Sequence, residues 1–185
     1  MTPAVTPAAL PAAPPAVRRR SRADLPGCER ALLAVHRADG YPAVWPAEPA
    51  GWLAESGQLA AWVAVAGDGG VVGHVALSRE SSAGEEWAAR TGAAVADTVA
   101  VSRFFVDPAA RGQRLGERLL AVAVRQVEHW GSVPVLDVEA GGAAALRVYR
   151  ATGWQELAVV EQHWTNGTTA TVHCFALNRP AGDGR

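Results

Sequence analysis

At 185 residues the chain is long enough for one domain with a self-sufficient hydrophobic core. A formal net charge of −1 excludes a general nucleic-acid binder, which needs a basic face, and no apolar run approaches the roughly 20 residues that span a bilayer. Cys28 and Cys174 stand far apart and follow no metal-ligand spacing, so the expectation is two reduced thiols in a cytoplasmic protein without metal.

Residues 1–16 are almost entirely Pro, Ala, Thr and Val, too poor in large apolar groups to repay ordering, and are expected to form a disordered tail. The basic cluster Arg18-Arg19-Arg20 follows the apolar stretch, the reverse of a signal peptide. A short strand is predicted from Val17 to Arg20. Asp24 then serves as N-cap of a helix from Pro26 to about Ala38, stopped by Gly40 and Pro42. Tyr41-Pro42-Ala43-Val44-Trp45-Pro46 reads as a loop, and a short helix follows around residues 51–56.

Residues 59–66 and 71–78 are β-like runs joined by Gly67-Asp68-Gly69-Gly70, a hairpin signal. A small, polar insertion follows, with Glu85 to Arg90 helical, and then a strand over 97–106 that is apolar on both faces and so suits the middle of a sheet. From Gly112 to Trp130 the spacing becomes helical, with Leu115, Leu119 and Val122 in one stripe and the charged side chains opposite. A strand over 133–139, a helix over 143–152 ended by Gly153, and two strands over 156–164 and 169–178 paired across Asn166-Gly167 complete the chain. Residues 179–185 read as a flexible tail. The order describes one α/β domain over 17–178: a mixed, mostly antiparallel sheet of six to seven strands flanked by about four helices.

The segment Phe104-Phe105-Val106-Asp107-Pro108-Ala109-Ala110-Arg111-Gly112-Gln113-Arg114-Leu115-Gly116 passes from a strand into the first turn of a long helix. Helix N-termini carry unpaired N–H groups and partial positive charge, so they attract phosphate. Gly112 allows close approach to the backbone, and Arg111 and Arg114 add fork-shaped donors. Taken alone, the segment is equally an ordinary amphipathic helix with a solvated arginine face. There is no P-loop signature, and no Gly-x-Gly-x-x-Gly follows a strand, which leaves a nucleotide triphosphatase or dinucleotide oxidoreductase unsupported.

Downstream, Asp137-Val138-Glu139-Ala140-Gly141-Gly142-Ala143-Ala144-Ala145-Leu146-Arg147-Val148-Tyr149 continues to Gly153-Trp154. With both segments in view the chain resembles the GNAT superfamily of N-acetyltransferases. Arg111-Gly112-x-x-Leu115-Gly116 after its strand is similar to the family's Gln/Arg-x-x-Gly-x-Gly/Ala acyl-CoA signature. Ala145-x-x-Val148-Tyr149-x-x-x-Gly153-Trp154 is similar to the family's Ala-x-x-Leu-Tyr-x-x-x-Gly-Phe. Arg114 replaces the second glycine of the first signature, and Gly142 stands where the family often has Asn.

The resemblance implies a GNAT-like domain that transfers an acetyl group from acetyl-CoA to the primary amine of a small molecule or peptide by direct attack, with acetyl-CoA as cosubstrate. Carried over, the backbone of Phe104, Phe105 and Val106 would bind the pantetheine arm. Arg111, Gly112, Gln113, Arg114, Leu115 and Gly116 would hold the pyrophosphate, and Gly142 and Ala145 would line the cofactor. Tyr149 matches the tyrosine that protonates the leaving thiolate, which fits a phenol of pKa about 10. The strand that often supplies a glutamate base offers none here, which leaves Glu139, Asp97, His74 and His163 as candidates, Glu139 the best placed. Tyr41 and Trp45, in the region that forms the acceptor cleft, and His74 are the candidate substrate contacts. Dimers are common in the family, so a homodimer is the assembly the resemblance allows. The competing reading is a non-catalytic acyl-CoA-binding regulatory module of the same fold.

Overall fold

In chain order the elements are β1 (Ala16–Arg19), α1 (Leu25–Asp39), α2 (Pro49–Leu53), β2 (Gln58–Val65), β3 (Val71–Ser78), β4 (Thr98–Val106), α3 (Leu115–His129), β5 (Val133–Glu139), α4 (Ala143–Ala151), β6 (Gln155–His163) and β7 (Thr169–Ala176). The computed structural model describes residues 14–79, 90–139, 143–163 and 169–177. The expected tails, the Asn166-Gly167 turn and most of the Glu85–Arg90 helix lie outside these residues. Of the expected N-terminal tail, Ala16 already belongs to β1, and of the insertion Arg90 and Thr91 are helical.

The seven strands form one mixed sheet in the order β1-β2-β3-β4-β5-β7-β6, antiparallel everywhere except between β4 and β5. Its two faces are covered by different helices. Leu115, Leu119, Leu120, Ala123 and Val127 form the buried stripe of α3 and pack with Tyr149 of α4 against Val75, Leu77, Val99, Val101, Leu136 and Phe175. On the opposite face, Ala31, Leu32 and Val35 of α1 and Leu53 of α2 meet Val63 and Phe105. Each fully buried Leu contributes roughly 1.5–3 kcal/mol through removal of its apolar surface from water.

Asp24 stands at the expected N-cap position of α1, but its side chain has a different task from capping. It closes a 3₁₀ turn over Arg22–Asp24, and its side chain makes no cap hydrogen bond to α1. Its carboxylate instead accepts from the Arg18 guanidinium at 2.7 and 2.8 Å and from the Ser21 N–H and hydroxyl at 2.7 and 2.9 Å. A charged partner and two further donors outcompete the helix N–H groups for the same oxygens. Cys28 and Cys174 are both buried.

One joint in the sheet is short. β4 and β5 pair only at Thr98–Val133, Val99–Pro134 and Ala100–Val135. Beyond these rungs the strands diverge, and β4 continues to Val106 beside β3 alone. A bulge accompanies the divergence: Arg103 and Phe104 together oppose Val75, and Arg103 takes the left-handed φ of 48° that the extra residue demands.

Candidate active site

The gap between β4 and β5 is where the sequence-predicted residues converge. The Asp107 N–H donates to the Val72 carbonyl on β3 at 2.9 Å. Backbone groups alternate along a strand, so Phe105 also faces β3, while Phe104 and Val106 present their amides to the edge that β5 has left. The side chain of Phe105 is buried on the α1 side and stacks on His74 at 5.4 Å. Phe104 and Val106 thus border the gap, and Phe105, grouped with them in the sequence reading, is turned away from it.

Residues 111–116 bring the start of α3 to the same edge. The first N–H groups of a helix have no intrahelical acceptor. Gly112 adopts φ +80° with open space around it, and a Cβ on Gly116 would sit 3.2 Å from the Phe104 ring. The helix start therefore runs against the strand as closely as only a glycine permits. Gln113 is exposed, whereas the Leu115 side chain is buried, leaving its N–H as the group that can face the gap.

The two arginines of this turn are already partnered. Arg111 pairs with Asp39 at the end of α1, and Arg114 pairs with Glu117 one turn on, with its Nε 2.9 Å from the carboxylate. The expected free guanidinium forks are thus held by carboxylates, and the anion-attracting groups that stay unengaged are backbone N–H groups.

Tyr149 reaches the gap from the α4 side. It is 5% exposed, and its ring lies 5.9 Å from Phe104, 6.0 Å from Trp154 and 5.9 Å from Phe175. Burial pushes its phenol well above the ordinary value, and the nearby Tyr41 and Asp137 add to the shift. Ala145, one turn earlier, is partly buried against the same core, and Gly142 lies outside the described residues.

On the other face, Tyr41 and Trp45 sit in the loop between α1 and α2. The His36 Nδ1–H donates to the Pro42 carbonyl at 2.9 Å, and Trp45 lies 5.2 Å from the His36 ring, so the loop is fastened to the end of α1. Tyr41 meets Trp52 edge-on at 6.2 Å. Burial raises the Tyr41 phenol. Arg103 opposes that shift, while Asp137 and Glu139 reinforce it.

The candidate bases separate clearly. His74 has no exposed surface. Its Nε2 lies 3.1 Å from an Arg20 nitrogen that can only donate, so Nε2 accepts and Nδ1–H donates to the Arg103 carbonyl at 2.8 Å. Burial pushes its pKa down to about 4. His74 is thus a sealed structural link, and no surface remains for the expected contact with substrate. Asp97 is exposed at the closed end of β4, and His163 lies on edge strand β6, separated from β5 by β7. Glu139 is half-buried at the end of β5, where reduced hydration and Asp137 raise its carboxyl.

Asp137 was missed in the sequence reading. It shares a face of β5 with Glu139, two residues before it and two beyond the last rung with β4. Its side chain is open to solvent, yet the walls around it limit hydration enough to raise its carboxyl. Tyr41 and Tyr149 both feel its charge. The available signal was an acidic residue alternating into an otherwise apolar strand.

Residues 27–154 match the Acetyltransferase (GNAT) family. The chain belongs to the GNAT acetyltransferase family. No curated protein sequence matched it. Among solved structures, yncA from Salmonella typhimurium, determined with its cofactor acetyl-CoA, is 21% identical, with 93% of this chain and 99% of that one covered at a TM-score of 0.62. Arabidopsis thaliana NAA60 in complex with acetyl-CoA is 19% identical over 88% and 97% of the two chains at a TM-score of 0.65. The ribosomal-protein-S18-alanine N-acetyltransferase from Escherichia coli is 18% identical over 92% and 99% at a TM-score of 0.58. At these identities the likeness is one of fold.

The residues of this GNAT domain fit an acyl-CoA. The β4 edge offers unpaired peptide groups to an extended arm, and the Gly112–Gly116 turn offers N–H groups and space to a pyrophosphate. The departure from the family's signature also gains a physical meaning. Arg114 sits at the N-cap of α3 with φ 55°, the left-handed conformation that a glycine adopts without strain.

Proposed function

We propose that this GNAT protein is an N-acetyltransferase that moves the acetyl group of acetyl-CoA to a primary amine by direct attack, with Tyr149 as general acid and Asp137 as general base. The observation that carries the reading is the end of β4–β5 pairing after Ala100 and Val135, with Asp137 and Tyr149 electrostatically coupled at the opening.

The chemistry follows from the two faces of the gap. An amine must be neutral to attack, so a proton has to leave its nitrogen. Asp137, with its raised carboxyl, is a stronger acceptor than an ordinary surface aspartate and lies on the acceptor face with Glu139 beside it. As nitrogen bonds to the carbonyl carbon, charge builds on the carbonyl oxygen, and the unpaired amides of Phe104 and Val106 can receive it. The C–S bond then breaks. Tyr149, whose burial keeps its proton in place until a negative sulfur arrives, donates to the leaving thiolate, and the proton given up by nitrogen balances the one Tyr149 supplies.

The decisive measurement is thiol release from acetyl-CoA across amines, amino acids, polyamines, aminoglycosides and peptide N-termini, beside thermal shift with acetyl-CoA. Thiol release with at least one class is the expected result. A chain that binds acetyl-CoA and releases no thiol with any class is the binding module instead.

A further inference from the structure

The acceptor face holds a cationic site that the acetyl-transfer chemistry does not use. Arg103, on the β4 bulge, has a side chain that is 10% exposed and stacks on Trp52 with its guanidinium carbon 4.8 Å from the ring. A guanidinium has five N–H donors. Here Arg103 uses one nitrogen toward Glu55 and another toward the Ser102 hydroxyl at a long 3.4 Å. Its Nε is buried with no hydrogen-bond partner, the one such side-chain atom among the described residues. A buried, under-satisfied cation is costly unless an anion completes its shell.

A second guanidinium deepens the imbalance. Arg20 contacts the Leu53 carbonyl, the Gln58 side-chain oxygen at 2.6 Å and His74, three neutral groups, and it feels the charge of Arg103. The carboxylate on its own side of the molecule, Asp24, is held by Arg18. Of the two guanidiniums Arg103 alone contacts a carboxylate, that of Glu55, which sits in the turn after α2 and is 36% exposed, while Arg20 feels Asp24 without a direct contact. Across the gap, two and four residues beyond the last rung of β5 with β4, stand Asp137 and Glu139. The Tyr41 phenol is shifted one way by Arg103 and the other way by the two carboxylates. The gap thus has a cation on its β4 side and carboxylates on its β5 side.

We propose that the acceptor is an amino-carboxylate, a free amino acid or a molecule of that type, whose carboxylate binds Arg103 in place of Glu55 while its amine faces Asp137. The inference rests on the acetyltransferase reading above. Arg103 is the specificity-determining residue. Its planar fork matches a carboxylate and cannot be replaced by an amide or a methyl group without leaving donors unpaired. Glu55 acts as an internal stand-in that yields its place to the ligand.

The test compares matched pairs: leucine with leucinamide, phenylalanine with phenylalaninamide and alanine with alaninamide. Each acceptor is titrated into the CoA-loaded protein, and each is assayed for thiol release from acetyl-CoA. The wild type is expected to favour at least one carboxylate over its amide by about tenfold or more in both readouts, although the amide carries the more readily neutralised amine. Arg103→Gln should bring the ratio close to one, and Glu55→Gln should widen it by removing the internal competitor. Amides that equal or exceed their carboxylates in every pair overturn the inference, as does a preference that survives Arg103→Gln. Should Arg103→Gln fail to fold, an unchanged ratio in Glu55→Gln overturns it. Carboxylate-selective binding without thiol release upholds the site and sinks the catalytic reading. Thiol release without selectivity does the reverse, and neither binding nor release from any pair sinks both.

Discussion

The ring of Tyr149 lies 5.9 Å from the ring of Phe104, which joins the proposed acid on α4 directly to the β4 edge that borders the gap. Phe104 is also the residue against which Gly116 packs, so acid, strand and helix start meet at one aromatic side chain. Replacing Tyr149 by Phe keeps the ring and its packing and removes the proton. Thiol release should fall by about a hundredfold or more, the scale of a lost general acid, while acetyl-CoA affinity measured by titration stays within about twofold. Unchanged release would remove Tyr149 from the mechanism.

Asp137 and Glu139 differ in a way that kinetics can read. Because reduced hydration raises the carboxyl of Asp137, the acid limb of kcat/KM should lie above the ordinary aspartate value of 3.8. Asp137→Asn should abolish that limb and reduce the rate by about a hundredfold. Glu139→Gln should shift the limb to lower pH, since a negative neighbour is lost and Asp137 then ionises more easily. A larger loss in Glu139→Gln than in Asp137→Asn would reverse the assignment.

Arg114 holds a left-handed backbone at the N-cap of α3, and its exposed pair with Glu117 returns little, as surface ion pairs do. Arg114→Gly should therefore raise stability by about 0.5–1 kcal/mol in chemical denaturation, because strain is relieved by more than the pair is worth. A destabilised variant would show that the guanidinium contributes more than its exposure suggests.

His74 makes stability depend on pH with a definite sign. Its folded pKa of about 4 lies below the ordinary 6.5, so between these values the unfolded chain binds the extra proton. Its contribution is complete above pH 6.5 and is lost as pH falls toward 4. Asp24 has the depressed carboxylate case: held low by Arg18, it contributes above the ordinary 3.8 and weakens only below that value. Asp137 and Glu139, raised on folding, act with the opposite sign to both. The His74 effect is thus read as the difference between wild type and His74→Gln in denaturant midpoint across pH 4–6.5, where the variant should show the shallower fall. Asp24→Asn should cost about 2 kcal/mol at neutral pH through the lost charged hydrogen bonds.

Periodicity located the elements because burial leaves a pattern in the spacing: the one-sided Leu115–Leu119 stripe of α3 and the two-sided apolarity of β4 could be read directly. The functional gap was legible only through the resemblance, since no local pattern states where two strands part. Asp137 escaped because its raised carboxyl comes from the walls around it, and an acidic residue alternating into an apolar strand is a signal that does not by itself separate a buried-site carboxylate from a solvated one. His74 misled for the mirror reason: a polar residue in an apolar strand suggests chemistry, whereas Arg20 and the Arg103 carbonyl, remote in sequence, consume both of its nitrogens. The partner of Arg111 was likewise invisible, because Asp39 approaches only after α1 folds over the sheet, whereas Glu117 stands three residues from Arg114 on the same helix.

The three rungs that join β4 to β5 are the shortest joint in the sheet. β1 to β4 with α1 form one leaf, β5 to β7 the other, and α3 spans them from one side. An acyl-CoA arm laid along the free edge of β4 adds peptide contacts where the leaves are least joined, so binding the cosubstrate stiffens the seam. Amide exchange along β5 and the free part of β4 should slow most when acetyl-CoA binds, and the protein should gain cooperativity in unfolding as well as stability. On the acetyltransferase reading, the cosubstrate is a removable piece of the architecture, the strand-like element that the short joint lacks.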